Sequence, residues 1–319
     1  MTRDTFLRDA GWDGAQAAPL AGDASSRRYT RLSREGETAI LMEDPSGDCA
    51  RFARIARYLR DAGLSAPAIF AETPDLMLLE DLGDDLVARI ATPDTEAALY
   101  MASADAVAAL HGAEPLSGLP IADAQELGEL PGITFETYVH DPAMRAEAVA
   151  TLTDRLAALD GMTEVTILRD FHAENICWLP GREGAARAGL LDFQDAMLGH
   201  RAYDLVSLLQ DARRDVSADT VARTRRHFLD RTGLDAEPFD RAYALLGAQR
   251  NLRILGVFAR LAAARGKPGY IDLVPRVWRH LQTDLQHPAL SEVAGLLRGA
   301  LPAPTPDVLQ RLKSPCPTR

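Results

Sequence analysis

Two short polar motifs, separated by a spacer of hairpin length, constrain this chain more than any other feature. The first motif, LRDFHAEN, begins at Leu168 and places Asp170 five residues before Asn175, and the second, LDFQD, contains Asp192. Transfer of a phosphoryl group from a nucleotide requires a carboxylate that receives a hydroxyl proton, and oxygen ligands that hold magnesium. The motifs therefore indicate kinase chemistry, with Asp170 as the base and the other two residues as metal ligands.

The residues between the two motifs predict a β-hairpin. Apolar runs at 176–179 and 188–191 flank a turn that is rich in Gly and Pro, which is the pattern of two strands and a tight connection. In an antiparallel hairpin, residues equidistant from the turn face each other. Asn175 and Asp192 are nearly equidistant from its centre, so we expect them to meet and to bind Mg²⁺. A surface hairpin with ordinary turn carboxylates is the plainer alternative, and the joint pattern favours the functional interpretation.

These motifs resemble those of the aminoglycoside phosphotransferase and choline kinase-like branch of the protein kinase fold. That family carries His-Gly-Asp-x-His-x-x-Asn and, later in the chain, Ile-Asp-Phe/Trp-x-Asp. The resemblance implies that Asp170 is the catalytic base, that the two metal ligands are as given above, and that His172 is a scaffold histidine. Leu168 and Arg169 stand where the family usually has His and Gly, which leaves the base and the metal ligands intact.

The resemblance extends over most of the chain and implies an α+β, bilobal protein-kinase-like fold. It predicts a small, strand-rich N-lobe that binds nucleotide (residues 1–83) and a larger, mainly helical C-lobe for catalysis and acceptor binding (residues 84–319). The segments GDASSRRY from Gly22, LLEDLG from Leu78 and QRNLRILGVFARL from Gln249 resemble the bacterial anomeric kinases of N-acetylmuramate and N-acetylglucosamine, which serve cell-wall recycling.

Hydrophobic periodicity predicts the elements of each lobe. The N-lobe elements are a hairpin of strands at 28–32 and 38–42, a helix at 49–62, and strands at 68–71 and 77–79. The C-lobe helices are expected at 95–111, 142–159, 203–211, 219–232, 238–264 and 271–287. A strand is expected at 165–168. The Pro-rich stretch 302–306 is expected to pack loosely or to fray.

Composition and charge exclude several classes of protein. A net charge of −11 argues against nucleic acid as a partner, and no apolar run is long enough to span a membrane. Cys49, Cys177 and Cys316 are scattered, which fits a reducing compartment without disulfides or a metal cluster. The residues after Met1 lack the apolar core of a signal peptide, so a cytoplasmic location is expected. The acidic balance could suit a cationic acceptor, but net charge does not describe a particular pocket.

The chain lacks the strand lysine with which most phosphotransferases of this fold hold the α- and β-phosphates. Its lysines, Lys267 and Lys313, both lie far beyond the N-lobe, and Met42 falls at the expected position. Arg27 or Arg28 is expected to replace the lysine, because a guanidinium can clamp phosphate oxygens. Since side chains alternate along a strand, at most one of the two should point at phosphate. Loss of catalysis, in a pseudokinase, is the alternative explanation.

The resemblance assigns further nucleotide contacts. Ser25 joins the two arginines in the turn that would cover the phosphates. The main chain of Glu80 and Leu82 would hold the adenine, while a simple acidic loop is the alternative interpretation for the side chains of this segment.

Candidate substrate-binding residues are Asp195, Arg250 and Arg253. An ordinary turn carboxylate is the alternative for Asp195, and solvated or salt-bridged arginines are the alternative for the other two. Three residues are expected to support the catalytic loop: Arg169, His172 and Asp204. Of these, Asp204 is expected to brace the loop through its backbone, and to pair with Arg169.

The sequence therefore predicts an enzyme that uses ATP and Mg²⁺ to phosphorylate a small-molecule hydroxyl. The preferred acceptor is the anomeric hydroxyl of N-acetylmuramate or N-acetylglucosamine. The alternatives are an aminoglycoside or amino-alcohol kinase of the choline or homoserine type, and a pseudokinase that binds nucleotide without turnover. Retention of Asp170, Asn175 and Asp192 argues against the pseudokinase.

Overall fold

A computed structural model describes residues 1–20 and 26–314 of the chain. By their contacts the residues form two compact units that do not follow chain order. The first unit comprises Met1–Leu116 and Ala173–Ala196, and the second comprises Ser117–His172 and Met197–Arg319. The first unit thus also contains residues 84–116, which lie beyond the lobe boundary predicted at residue 83. The predicted division of function between residues 1–83 and 84–319 remains a prediction. No helix among the described residues is both long and apolar enough to cross a membrane.

The elements below are numbered in chain order. The strands are β1 (Gln16–Pro19), β2 (Arg28–Arg34), β3 (Glu37–Glu43), β4 (Ile69–Glu72), β5 (Leu76–Glu80), β6 (Val165–Ile167), β7 (Ile176–Trp178), β8 (Ala188–Leu190) and β9 (Met197–Gly199). The helices are α1 (Arg3–Asp9), α2 (Cys49–Asp61), α3 (Val87–Ile90), α4 (Glu96–Gly112), α5 (Ala124–Glu129), α6 (Gly132–Thr137), α7 (Pro142–Ala157), α8 (Tyr203–Leu209), α9 (Ala218–Thr232), α10 (Ala236–Arg265), α11 (Val274–Asp284), α12 (Ser291–Ala300) and α13 (Pro306–Lys313).

The first unit is built on an antiparallel sheet with the strand order β1-β2-β3-β5-β4. β2 and β3 form the predicted hairpin, and Glu35 and Gly36, both with positive φ, make its turn. One face of the sheet packs against α1, and the buried residues of that contact are Phe6, Leu32, Ala39, Leu41, Leu76 and Leu78. The hairpin of β7 and β8 belongs to the same unit, because the backbone of Leu190 donates a 2.8 Å hydrogen bond to Ser65 O.

The second unit is mainly helical and is organised around the 30-residue helix α10. α6 packs closely on α10 at Gly256, where a Cβ atom would lie only 2.5 Å from Thr134 N. The Thr134 hydroxyl fixes the crossing, since it donates to Leu252 O and accepts from Gly256 N. This helix carries Arg250 and Arg253, two of the residues predicted to bind the substrate.

Most predicted elements are confirmed, and the differences lie at the ends of the chain and in short strands and helices. The C-terminal stretch does not fray as predicted: Thr305 caps α13, Leu312 is buried, and the Tyr138 hydroxyl donates to Pro302 O at 3.1 Å. Proline is compatible with the first turn of a helix, so Pro306 starts α13 where the prediction expected a loosely packed or frayed stretch. The prediction also missed two strands, β1 and β9, and five helices: α1, α3, α5, α6 and α12.

The predicted helix over 271–287 begins later than expected. Residues 268–273 form a 3₁₀ helix, and the α-helix α11 starts at Val274. Two prolines, Pro268 and Pro275, occupy the first turns of these two helices, where the missing proline N–H costs nothing.

Candidate active site

The predicted hairpin brings Asn175 and Asp192 together within the first unit. β7 pairs with β8 so that Ile176 lies opposite Leu190, and the Leu191 N–H donates to Asn175 O at 3.0 Å. The register is thus one residue off the predicted pairing. The side chains nevertheless meet, with Asn175 Nδ2 3.4 Å from Asp192 Oδ2.

Local packing and backbone conformation hold Asp192 in this position. The next residue, Phe193, is fully buried, and its ring centroid lies 4.8 Å from that of Phe52 on α2. Asp192 itself has a φ of 56°, in the left-handed region that costs a non-glycine residue about 1 kcal/mol. Gln194 Nε2 donates to Asp192 Oδ1. The packing of Phe193 and the hydrogen bond from Gln194 offset this cost and fix the orientation of the Asp192 carboxylate.

The Asn175–Asp192 pair fits Mg²⁺. An amide and a carboxylate supply the oxygen ligands that this hard cation takes. The described residues contain no group of three or more His, Cys, Asp or Glu side chains that could hold a metal. A cation at this pair would therefore complete its shell from phosphate oxygens and water, as Mg²⁺ does in nucleotide sites.

In the second unit, Asp204 braces the segment that contains Asp170. The Asp204 carboxylate, fully buried at the start of α8, accepts hydrogen bonds from Leu168 N at 2.7 Å and from Arg169 N at 2.9 Å. Ser207 Oγ, one turn later, donates to Arg169 O at 3.0 Å. The predicted bracing contact is therefore present, and it reaches the backbone of Arg169. Two carboxylate oxygens and one hydroxyl thus fix the backbone on both sides of Arg169.

The backbone at Arg169 explains a feature of the motif. Its φ is 69°, a left-handed value that glycine adopts freely and other residues adopt at a cost. Glycine is common at this position in the family that the motif resembles. Burial raises the pKa of Asp204 to about 7, although the two backbone N–H groups and the charge of Arg250 favour its ionised form.

Asp170 lines a cavity of about 180 Å³ in the second unit. The charged residues of its wall are Arg169, Asp170, Asp211, Arg213, Arg250 and Arg253. Four arginines against two aspartates leave a net positive wall in a chain whose net charge is −11. Apolar residues of α10, Ile254 and Val257 among them, complete the wall. The cavity can therefore hold a small polar molecule beside the Asp170 carboxylate and favours one that carries negative charge.

The two arginines of α10 that were predicted as substrate contacts have different surroundings. Arg250 Nη2 donates to Ser207 Oγ at 2.8 Å, and Ser207 in turn holds the backbone of Arg169 next to Asp170. Arg253, one turn later, makes no hydrogen bond or ion pair with any residue in 1–20 and 26–314. Between them, Asn251 points away from the cavity and donates to Gln210 Oε1 at 2.6 Å and to Asp284 Oδ2 at 3.2 Å.

Sequence reasoning missed Asp211, which the structure places in the cavity wall. This carboxylate is buried, and Oδ1 accepts from Arg213 N at 2.8 Å. Its Oδ2 is buried without a hydrogen-bond partner among the described residues, an arrangement that costs free energy unless a ligand supplies a donor. The only signal in the sequence was an aspartate directly after the apolar run of α8.

The structure places the two arginines that could replace the missing lysine on opposite faces of the sheet. Tyr29 lies opposite Met42 in the β2–β3 register, and Arg27, two residues before Tyr29, shares their face and contacts Tyr29. Arg28 lies opposite Glu43 on the other face and is exposed. Met42 is fully buried, so the position predicted for the lysine carries no charge.

An ion pair with a buried carboxylate holds Arg27. Its Nε donates to Asp44 Oδ2 at 2.8 Å, and Asp44 Oδ1 accepts from Ser46 N at 3.0 Å. Burial alone would raise the pKa of Asp44, but the hydrogen bonds from Ser46 and Arg27 outweigh it and lower that pKa below its ordinary value. The negative charge of Asp192 also acts on Tyr29 and helps to raise the pKa of its phenol, after burial. Arg27 is thus a fixed cation beside Tyr29, and the phenol of Tyr29 interacts with the charge of Asp192.

Of the two residues predicted to hold the adenine through their main chain, Leu82 has the available N–H donor. The Glu80 N–H donates to Ala68 O at 2.8 Å, and the Glu80 carboxylate pairs with Arg182. The Leu82 N–H, by contrast, makes no hydrogen bond within the described part of the chain. Arg31 Nη1 donates to Asp84 Oδ2 at 2.7 Å and so holds the loop that follows Leu82.

The structure places two further residues that were predicted for the site, Asp195 and His172, and does not describe a third, Ser25. Asp195 is exposed, lies 3.6 Å from Arg51 Nη2 in the first unit, and does not line the cavity that contains Asp170. His172 is buried, with its Nε2 3.4 Å from Arg213 Nη1, as a scaffold residue would be. Ser25 lies outside the described residues.

Comparison with known proteins places the chain among phosphotransferases. The family model described as the phosphotransferase enzyme family matches residues 16–244. An N-acetylmuramate/N-acetylglucosamine kinase of Caulobacter vibrioides is 36% identical over 94% of this chain and 96% of that protein. A kinase of the same name from Pseudomonas aeruginosa is 31% identical over 89% of this chain and 88% of that protein.

A solved structure shows the same fold. A choline/ethanolamine kinase family protein from Mesorhizobium loti superimposes with a TM-score of 0.64 at 16% identity, covering 91% of this chain and 94% of that one. At this level of identity the likeness bears on fold alone. The α+β, protein-kinase-like fold predicted from the sequence is confirmed.

Proposed function

The chain belongs to the phosphotransferase enzyme family, and on this premise we propose that it is an ATP-dependent kinase of N-acetylmuramate and N-acetylglucosamine. The acceptor group is the anomeric hydroxyl, and the reaction serves cell-wall recycling in the cytoplasm. One observation carries the proposal: Asp170 lines a small cavity whose charged wall is mostly arginine. The kinases of this name from Caulobacter vibrioides and Pseudomonas aeruginosa, similar over most of their length, support it.

Asp170 acts as the base in this proposal. It orients the acceptor hydroxyl and takes its proton while the γ-phosphoryl group is transferred. The hydrogen bonds from Leu168 and Arg169 to Asp204, and from Ser207 to Arg169, hold the preceding peptide in place. Positioning of this kind supplies much of the catalysis in phosphoryl transfer, because the protein forms no covalent intermediate.

Residues of the first unit bind the nucleotide. Asn175 and Asp192 would hold Mg²⁺, which when bound neutralises charge on the phosphates. Arg27, fixed by Asp44, contacts the phosphates in place of the strand lysine. Ser25, which lies outside the described residues, is proposed to contact the phosphates, and the backbone of Glu80 and Leu82 is proposed to receive the adenine. Residues 1–83 thus serve as the nucleotide-binding lobe, and residues 84–319, which contribute Asn175 and Asp192, serve as the catalytic and acceptor-binding lobe.

The charge of the cavity supports an acceptor that is not a cation. Aminoglycosides and choline are cations, and four arginines against two aspartates would repel them. An N-acetyl sugar instead offers hydroxyl and amide N–H groups, for which the Asp211 oxygen without a partner among the described residues is a suitable acceptor. Arg250, in the same wall, can donate to the sugar oxygens.

Product analysis tests the proposal. The protein is incubated with Mg²⁺, ATP and N-acetylglucosamine, and the product is examined by ³¹P NMR and by an assay for reducing ends. We expect one phosphate per sugar, coupled to the anomeric proton, and loss of the reducing end in proportion to the ADP formed. A phosphorylated sugar that still reduces would contradict the anomeric assignment.

A further inference from the structure

One arginine of α10, Arg253, has no hydrogen-bond or ion-pair partner among the residues that the structure describes, and it carries an inference about specificity. Arg253 is partly buried in the wall of the cavity that contains Asp170. It makes no hydrogen bond or ion pair with the residues that the structure describes, whereas Arg250, one turn earlier, donates to Ser207. A cation removed from water without a partner costs free energy. The arrangement therefore suits an arginine that receives its partner from a ligand.

The surroundings of Arg253 define the ligand group. The charged groups that face it are Asp170, Arg169 and Arg250, and the Tyr203 phenol lies nearby. Burial and the two neighbouring arginines lower the pKa of Arg253 below its ordinary value, which means that additional negative charge at this point would be stabilised. Asp170 supplies part of that charge without forming an ion pair with Arg253. A bound anion beside Arg253 would therefore be stabilised by the net positive charge of the cavity wall.

We propose that Arg253 forms an ion pair with a carboxylate carried by the acceptor, so that the cavity selects the acid-bearing N-acetylmuramate over the neutral N-acetylglucosamine. The inference rests on the proposed function, since the two sugars differ by the lactyl ether that carries the carboxylate. The planar guanidinium of an arginine binds a carboxylate through two parallel hydrogen bonds. N-acetylglucosamine, which lacks the acid, leaves Arg253 without this partner and therefore gains nothing from it.

Steady-state kinetics with both sugars test the assignment. The specificity constant kcat/KM is measured for the wild type, for Arg253→Gln, for Arg253→Lys and for the control Arg260→Gln, whose arginine is exposed on the same helix. Loss of a charge-assisted pair should lower kcat/KM for N-acetylmuramate about 10- to 100-fold in Arg253→Gln, through KM. The value for N-acetylglucosamine should change less than about threefold. Arg253→Lys should retain part of the preference, and Arg260→Gln should match the wild type.

Two results would overturn the inference. An equal loss for both sugars would mean that Arg253 contacts a shared part of the acceptor, or the nucleotide, for which a rise in the KM of ATP is the sign. Values of kcat/KM that match the wild type for both sugars would mean that Arg253 contacts neither of them. The internal ratio of two substrates on one variant makes the result independent of how much of the protein is folded.

Failure of the proposed function can be told apart from failure of this inference. If the wild type phosphorylates neither sugar, the proposed function is wrong, and calorimetric titration of the same variants with the two sugars then decides the inference. Tighter binding of N-acetylmuramate by the wild type, abolished in Arg253→Gln, supports the anion subsite. Equal binding of the two sugars, or no binding of either, contradicts it.

Discussion

Asn175 and Asp192 meet at the open end of one hairpin, with Nδ2 3.4 Å from Oδ2, although the strand register pairs Asn175 with Leu191. The left-handed backbone of Asp192 accompanies this contact. Strained residues of this kind cluster at functional sites, which supports the interpretation of the pair as a magnesium site.

Removal of the Asp192 carboxylate should abolish the effect of magnesium on nucleotide binding. In Asp192→Ala, the dissociation constant of a non-hydrolysable ATP analogue, measured by calorimetry, should become the same with and without Mg²⁺. Asp195→Ala is a matched control three residues away, because Asp195 is an exposed carboxylate that pairs with Arg51. Magnesium-dependent binding that survives in Asp192→Ala would remove Asp192 from the metal site.

Replacement of Asp170 by Asn should stop turnover while nucleotide binding persists. The amide keeps the size of the side chain but cannot take the hydroxyl proton, and general-base catalysis contributes about 10²- to 10⁴-fold in rate. We expect kcat to fall by about 10³-fold, with the dissociation constant of ATP within about threefold of the wild type. Wild-type turnover in this variant would contradict the assignment of the base.

The two neighbouring arginines of the first unit should differ in function. Arg27→Met should raise the KM of ATP about 10- to 100-fold, since a charge-assisted contact with phosphate is lost. Arg28→Met should leave it within about threefold, because Arg28 lies on the opposite face of β2 and is exposed. Initial-rate measurements at saturating acceptor distinguish the two. Equal effects in both variants would mean that neither face of the strand is specific for phosphate.

The pH dependence of stability should report on Asp284, a buried carboxyl group on α11 away from the cavity wall. Burial raises its pKa to about 8, against the hydrogen bonds from Gln210 and Asn251. A group whose folded-state pKa is raised binds its proton more tightly in the native state, so its contribution to stability is present below about pH 4 and is lost as the pH rises to about 8. Each unit of raised pKa corresponds to about 1.4 kcal/mol.

The variant Asp284→Asn should therefore gain stability relative to the wild type as the pH rises. Urea unfolding at pH 5, 7 and 9 gives the difference in the free energy of unfolding between the two proteins, which should shift in favour of the variant by at least about 1 kcal/mol across this range. A difference that is constant with pH would show that Asp284 titrates alike in the folded and unfolded chains.

The parts of the site that follow from local pattern could be predicted from the sequence. The spacing of Asn175 and Asp192 about a Gly- and Pro-rich turn predicted their meeting, because antiparallel pairing is set by distance from the turn. The strand alternation of Arg27 and Arg28 predicted that the two would face opposite ways, but not which of them would pair with a buried carboxylate. That answer depends on Asp44, which lies 17 residues away in the chain.

The parts that depend on contacts distant in sequence could not be predicted. Asp211 is distinguished only by burial and by an oxygen without a partner among the described residues, and neither property is visible in its sequence neighbourhood. The difference between Arg250 and Arg253 likewise arises from where Ser207 lies. The helix α13 was missed because proline carries two opposite signals, a breaker in a helix interior and a favoured residue in its first turn.

The central claim is tested most directly by magnesium-dependent formation of ADP from ATP in the presence of single acceptors: N-acetylmuramate, N-acetylglucosamine, choline, homoserine and kanamycin. The account predicts turnover with the two N-acetyl sugars, loss of that turnover when Mg²⁺ is chelated, and background rates with the cations choline and kanamycin. Turnover with kanamycin or choline in preference to the sugars would contradict the assigned acceptor. The absence of turnover with every acceptor, with ATP still bound, would contradict the kinase itself and favour a pseudokinase.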